Sequence, residues 1–158
     1  MLCWPVCRPE PMSLVRPVLN VLWILTGGLW MAAAWLIAGV LLALTIVGLA
    51  WARAAFNIAG YTLLPFGYRV VRRDGYTGRT DLGTGLLGFL GNLIWLVLAG
   101  WWLAVGHVAT AAALAITVIG IPFAWAHLKL AGLALWPIGR MIVSVDALPG
   151  GHGYSAWG

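Results

Sequence analysis

Two stretches of this chain, Val18 to Ile46 and Leu82 to Ile121, run without a single Asp, Glu, Lys or Arg. Each exceeds the ~20 apolar residues that carry a helix across a bilayer. The first predicts a helix from Val18 to about Leu44, opened by Pro17, whose missing N–H is harmless in a first helical turn. Gly27, Gly28 and Gly39 offer points of close helix approach. Trp23, Trp30 and Trp35 lie too deep for all of them to reach the headgroups, so some must pack between helices. Thr45-Ile46-Val47-Gly48 then interrupts the helix, and Thr117 to Pro122 interrupts its counterpart with Gly and Pro two residues apart, a stop-and-restart signal. The uncharged break is either a tight hairpin on the non-cytoplasmic side or a turn buried at membrane depth. Shorter helices follow, at about Ala50 to Leu64 and Phe123 to Trp136. Such a helix rises only ~22 Å against a ~30 Å hydrocarbon core, so it crosses if the hairpin sits deep and otherwise re-enters. Pro65-Phe66-Gly67 and Pro137-Ile138-Gly139 end the short helices. The β-branched segments after them, Tyr68 to Val71 and Arg140 to Val145, predict short strands.

The pattern occurs twice. Asn20 to Val71 aligns without a gap on Asn92 to Val143, 72 positions later. Identities include Asn20 with Asn92, Trp23 with Trp95, Gly28 with Gly100, Trp30 with Trp102, Gly48 with Gly120, Pro65 with Pro137 and Gly67 with Gly139. Shared Asn, Trp, Gly and Pro in one register predict an internal duplication. Both copies end in the same basic, strand-like signature, so both should end on one side of the membrane. That requires an even number of crossings per copy, which favours parallel over inverted repeats. One crossing per repeat plus an interfacial helix is the alternative, and it would put Arg140 opposite Arg69.

The expected fold is an all-α integral membrane protein, internally duplicated as two parallel long helix–break–short helix repeats. The two predicted strands, paired, would form a short β ribbon on the cytoplasmic side. Its expected segments are an unstructured extension over 1–13, a first membrane repeat over 14–71, a basic Gly-rich linker over 72–85, a second repeat over 86–145 and a disordered tail over 146–158. Met12 reads as a more natural start than Met1.

Composition agrees with a membrane location. The chain of 158 residues is 63% hydrophobic and only 8% charged, where soluble domains carry roughly a quarter charged residues. The formal charge of +5 is placed by topology: Arg8 and Arg16 precede the first run, Arg69, Arg72, Arg73 and Arg79 lie between the repeats, and Arg140 follows the second. Basic flanks stay in the cytoplasm, which puts both termini there. A basic stripe with interleaved aromatics, as nucleic-acid binding would need, is missing. Cys3 and Cys7 have no further Cys to complete a zinc site or a disulfide framework. The apolar start is not followed by a cleavage site and a soluble domain, as a secretory signal would be.

Catalytic patterns are also missing. Ser13, Ser144 and Ser155 have no His and acid at a suggestive spacing, and Gly83 to Gly91 lacks the Lys-Ser/Thr of a phosphate loop. The expectation is a non-enzyme without cofactor or metal. The informative residues are polar groups inside the repeats. Arg53, Asn57, His127, Lys129 and His107 are candidates for a polar path or lining, whereas Glu10, Asp74, Asp81 and Asp146 all fall outside. Cations at membrane depth without a carboxylate must meet carbonyls, water, lipid phosphate or a passing anion. The plainer reading is that Arg and Lys snorkel to the headgroups and His107 serves helix packing. Asn20 and Asn92, with Gly28 and Gly100, read as helix-packing or symmetric polar positions. Arg69, Arg72, Arg73 and Arg79 read as a lipid- or partner-binding patch.

The run from Asn92 to Arg140, with VLNVLWILTGG earlier, resembles the YccF family of bacterial inner-membrane proteins. Its strongest pieces are Gly100-Trp101-Trp102, Ile119-Gly120-Ile121-Pro122 and Leu135-Trp136-Pro137-Ile138-Gly139-Arg140, and the likeness covers about Leu14 to Val145. The resemblance implies a small, multi-pass, duplicated protein of the bacterial inner membrane and carries no activity with it. Two functions are then expected. The first is a homo-oligomeric channel or transport component, because four crossings are too few to enclose a wide path alone. The alternative is a non-transporting scaffold or lipid- or partner-binding accessory protein. Membrane lipids, a second copy of the chain, and an anion or lipid headgroup are the expected partners, and nucleic acid is not.

Overall fold

The computed structural model describes residues 14–46, 48–80, 83 and 85–145; the expected extension over 1–13 and the tail over 146–158 lie outside the described residues. Two long helices dominate, α1 over Val15–Ala43 and α4 over Leu86–Ala115. They have 29 and 30 residues, a rise of ~44 Å each, and are apolar and long enough to cross a membrane. Between and after them come α2 (Leu49–Leu63), β1 (Tyr68–Arg72), a short α3 (Arg73–Thr77), α5 (Ile121–Leu135) and β2 (Arg140–Ser144). The first helix begins three residues before the expected Val18, because Pro17 falls within the first turn, where its ring meets no preceding carbonyl. The short helices begin and end one or two residues earlier than expected. The expected linker 72–85 is more ordered than its composition implied: Arg72 belongs to β1, and Arg73–Thr77 forms a helical turn closed by left-handed Gly78.

Each long helix pairs with the short helix that follows it, and the same device turns the chain in both. The Thr45 hydroxyl donates to the Leu42 carbonyl at 2.9 Å and accepts the Gly48 N–H at 2.9 Å. Thr117 repeats this with Leu114 at 3.1 Å and Gly120 at 3.0 Å. A Cβ on Gly48 or Gly120 would run into the backbone of Leu42 or Leu114, so the turn closes only on glycine. Farther along the first pair, Gly39 lets the Phe56 ring come within 2.8 Å of where its Cβ would be. Small residues at such crossings let helices approach without a hydrophobic drive from solvent.

The start of each long helix is tied to the corner after its short helix. The Asn20 amide donates to the Phe66 carbonyl at 3.0 Å and accepts the Phe66 N–H at 3.1 Å. Asn92 does the same to Ile138, at 3.1 and 3.0 Å. The two strands then pair antiparallel in the register Tyr68↔Ser144, Arg69↔Val143, Val70↔Ile142, Val71↔Met141 and Arg72↔Arg140. The Arg73 N–H donates to Gly139 O at 2.8 Å and the Val145 N–H donates to Gly67 O at 3.0 Å, which closes both ends of the ribbon alike. These bonds keep the 72-residue spacing, and the pair at the middle of the ribbon, Val70 with Ile142, is itself 72 apart.

A π segment in the second long helix, Leu96–Gly100, and the corresponding segment Ile24–Gly28, where the first long helix kinks at non-helical Gly27, were not foreseen. Each directly follows a buried Trp. The Trp23 Nε1–H donates to Thr62 O at 2.6 Å, and Trp95 Nε1–H to Ala134 O at 2.7 Å, both indoles fully buried. Each ring lies back across its own helix, against Gly28 in the first copy and Gly100 in the second. Gly27 takes φ 132°, a conformation that side chains with a Cβ avoid. Around these rings the core is Trp35, Leu103, Phe123 and small residues such as Ala52, Ala55, Ala59, Ala131 and Ala134. Large apolar side chains are exposed all along the outside, Ile46 at 96% and Ile116 at 86% being extremes, an arrangement that suits lipid rather than water.

Candidate functional site

Beneath the ribbon lies a cavity of about 960 Å³. One wall is α2, through Trp51, Ala54, Ile58 and Leu64; the facing wall is the start of α4, through Leu87, Gly88 and Gly91, with Leu133, Pro137 and Ile138 beside it. Gly91 keeps that wall close, since a Cβ there would sit 2.8 Å from Ile138 Cδ1. The polar groups of the lining are Asn57, Tyr61, Tyr68, Arg73 and Arg140, and no Asp or Glu stands among its described residues. Trp51 also contributes an indole N–H that is shielded from solvent and has no hydrogen-bond partner among the described residues. An apolar chamber bordered by hydrogen-bond donors and two guanidinium groups suits an amphiphile with an anionic head.

A smaller cavity of about 280 Å³ is lined by Tyr61, Tyr68, Arg69, Lys129 and Arg140, among others. Another, of about 310 Å³, lies between α3 and the Asn92 corner, with Arg72 and Asp74 at its edge. There Arg72 Nε donates to Asp74 Oδ1 at 3.2 Å and Arg72 Nη2 to Oδ2 at 2.7 Å. That paired bond holds the Asp74 carboxyl below its ordinary range and pushes the Arg72 guanidinium further up. Of the arginines expected to bind lipid or a partner, Arg72 therefore already has a carboxylate. Arg73 and Arg69 line cavities, and Arg79 is exposed.

The five residues expected to form one polar lining fall into four settings. Asn57 lines the large cavity and Lys129 the smaller one, where its Nζ lies 5.9 Å from the Trp125 ring centroid. Arg53 is exposed on α2 and is not part of the large cavity's lining. His107 and His127 are fully buried in the core. Helix phase is the physical reason: the two imidazoles are on inward faces, whereas Arg53, Asn57 and Lys129 are on outward ones.

The buried histidines form an ordered chain of bonds. Trp35 Nε1–H donates to His107 Nε2 at 3.1 Å, so a neutral His107 carries its proton on Nδ1. His107 Nδ1 lies 3.0 Å from His127 Nδ1, which must accept, and this leaves the His127 proton on Nε2. That Nε2 is shielded and without a partner among the described residues, and it lies 3.3 Å from where a Cβ on Gly27 would be. His127 stacks on Trp23 at 4.3 Å, and Trp35 stacks on Trp95 at 5.7 Å. Among the described residues, no three of His, Cys, Asp or Glu come together as a metal site would need.

Sequence reasoning singled out neither Trp51, Tyr61 nor Tyr68, and used Arg140 only for topology. The signal available for the last two was the repeat: Tyr68 and Arg140 occupy equivalent positions, both opening a strand after Pro-x-Gly.

Comparison with known proteins agrees with the layout. The family model described as YccF, inner membrane component domain, matches residues 18–68 and again 90–140. Inner membrane protein YccF of Escherichia coli (strain K12) is 38% identical over 135 residues, covering 84% of this chain and 90% of that protein. The protein of the same name from Shigella flexneri matches with the same figures, 38% over 135 residues. Both names describe a membrane location and neither describes a catalytic activity. No solved structure matches the chain. On two copies of the family's domain, and on identity over most of its length, this chain belongs to the YccF family of inner membrane proteins.

Proposed function

We propose that the protein is a four-crossing inner-membrane module that holds an anionic phospholipid in the cavity beneath its ribbon. In this reading the repeats are parallel, related by an axis along the membrane normal, and the ribbon and both termini are cytoplasmic. The short helices cross, and the Pro-x-Gly corners, each closed by a turn bond (Tyr68 N–H to Pro65 O and Arg140 N–H to Pro137 O, both 3.2 Å), lead on to the ribbon at the interface. The observation that carries the proposal is the lining of the large cavity. Its walls are apolar, its border holds Arg73 and Arg140, and its described residues include no carboxylate. A phospholipid matches both parts, acyl chain against the walls and phosphate beside the guanidinium groups.

Native mass spectrometry of the purified protein tests this. Wild type is expected to retain phosphatidylglycerol through delipidation, and Arg73→Gln and Arg140→Gln to weaken that retention about tenfold or more. Equal retention by wild type and both variants would overturn the proposal.

A homo-oligomeric channel or transport component is the second reading, favoured by the outward exposure of Arg53 and Lys129. A second copy of the chain would enclose these cations between subunits. It predicts a defined oligomer in nanodiscs and ion flux that falls in Arg53→Ala and Lys129→Ala. A strict monomer would sink it, because the histidines and the rest of the bundle interior are packed shut.

A further inference from the structure

We infer that the protein takes a lipid acyl chain on one face only, between α2 and α4, and that Gly91 and Ile138 are the residues that open the chamber there. This rests on the phospholipid reading of the large cavity and adds to it where the chain enters and how many lipids one protein holds. The rim gives the direction of entry. Asn57 on α2, Leu64 just after it and Leu87 on α4 all line the cavity and are all exposed, so it opens sideways, toward the bilayer.

The two repeats treat this place differently. Under the 72-residue spacing, Trp51, Gly91 and Ile138 of the cavity wall correspond to Phe123, Leu19 and Phe66. The three wall residues meet at one point: a Cβ on Gly91 would lie 2.8 Å from Ile138 Cδ1 and 3.8 Å from Trp51 Cζ2. At the equivalent point between α5 and α1, leucine replaces the glycine and phenylalanine the isoleucine. The Phe66 ring stands edge-on to Phe123 at 6.1 Å and to Trp23 at 6.0 Å, and Leu19 packs against the same core. That side is filled. What is left of it is the smaller cavity of about 280 Å³, against about 960 Å³, and its described lining includes none of Leu19, Phe66 and Phe123.

Gly91 lies within α4, where glycine is entropically unfavourable. A larger residue there would push the end of the Ile138 side chain, which borders the cavity and has room to turn into it. Such a residue takes up the chamber and leaves the helices in place. Each buried methylene favours retention of an acyl chain, and excluding two of them corresponds to about a tenfold loss.

The test counts phosphatidylglycerol on the full chain by native mass spectrometry through delipidation, beside a thermal transition in the same detergent. Wild type is expected to keep one lipid, and Gly91→Leu and Ile138→Phe to hold it about tenfold less well. Each substitution installs what the other repeat already carries at the same position. Ile138→Phe also leaves the backbone groups that bond Asn92 unchanged, so both variants should melt as wild type does. Leu19→Ala, on the filled side, should leave the count at one.

Wild-type retention by both Gly91→Leu and Ile138→Phe would overturn the inference, and so would a matching loss in Leu19→Ala. A second wild-type lipid that neither substitution affects would also overturn it. If Gly91→Leu fails to fold, Ile138→Phe decides. Release by Gly91→Leu and Ile138→Phe, with lipid held by Arg73→Gln and Arg140→Gln, would remove recognition by the guanidinium groups and leave the one-sided chamber standing. The reverse pattern would remove the chamber and leave that recognition. Wild type without lipid would overturn both.

Discussion

His107 is the residue on which most of the interior hydrogen bonding depends. It accepts from Trp35 and donates to His127, so it satisfies two buried neighbours at once. His127 satisfies only His107, and its second nitrogen is already unpartnered among the described residues. The two positions should therefore differ in tolerance. His107→Phe strands the Trp35 N–H and the His127 Nδ1 together and should destabilise by about 2–5 kcal/mol, since each stranded buried group costs roughly 1–3. His127→Phe strands only the His107 donor, removes an orphan, and keeps a ring to stack on Trp23, so it should cost clearly less, about 1–2 kcal/mol. Unfolding of both variants in mixed micelles would measure the order, and equal losses would contradict the inferred proton positions. Neither variant should alter phospholipid retention, because neither imidazole lines a cavity. From the sequence, both histidines were candidates for one polar lining with Arg53, Asn57 and Lys129, with helix packing the plainer reading of His107. Their actual placement depends on Trp35, a residue 72 positions from His107 whose orientation no local pattern encodes.

At the scale of elements, the π segments are the feature that the hydrophobic pattern could not register. An extra residue in a helical turn leaves composition unchanged and only shifts the phase of the helix beyond it. Here each segment directly follows a buried Trp, Trp23 or Trp95, whose indole lies against the glycine that ends the segment and reaches a carbonyl of the short helix. Gly27→Ala should expose this dependence. The new Cβ would demand φ 132° of an alanine and lie 2.7 Å from Thr110 Cγ2, a loss of about 2–3 kcal/mol or a shift of the whole segment. Gly60→Ala is the control, because its Cβ meets nothing within 4 Å, and it should be neutral or slightly stabilising. Similar losses in the two variants would argue against a strained bulge. The turns, the corners and the strands, by contrast, were readable, because Gly, Pro, Thr and β-branched residues act over three or four positions and carry their geometry with them. The Arg73–Thr77 turn was missed for the converse reason: a Gly-, Thr- and charge-rich stretch reads as loop until the flanking strand holds its first residue.

For the molecule as a whole, the proposed arrangement places both hairpin turns on one side of the membrane and the ribbon on the other. Single cysteines at Ile46 and Val118 should both react with an impermeant thiol reagent from outside the inner membrane, and one at Thr77 only from the cytoplasmic side. Labelling of Ile46→Cys and Val118→Cys from opposite sides would replace the parallel arrangement with one crossing per repeat plus an interfacial helix. The labelling background would be taken from a chain with Cys3 and Cys7 changed to Ser.

The sequence by itself determined the compartment, the repeat, the order of helix, turn, short helix and strand, and the family. Each of these comes from near-neighbour chemistry or from the sum of apolar surface, and neither needs knowledge of which faces meet. Only the tertiary structure decided which polar residues share a space. It drew His107 and His127 into the core and left Arg53 outside. It also brought Trp51, Tyr61, Tyr68, Arg73 and Arg140 around one chamber, with Arg69 and Lys129 at its smaller counterpart. That assignment depends on helix phase after a π segment and on strands paired across 72 residues, which are properties of the packed whole.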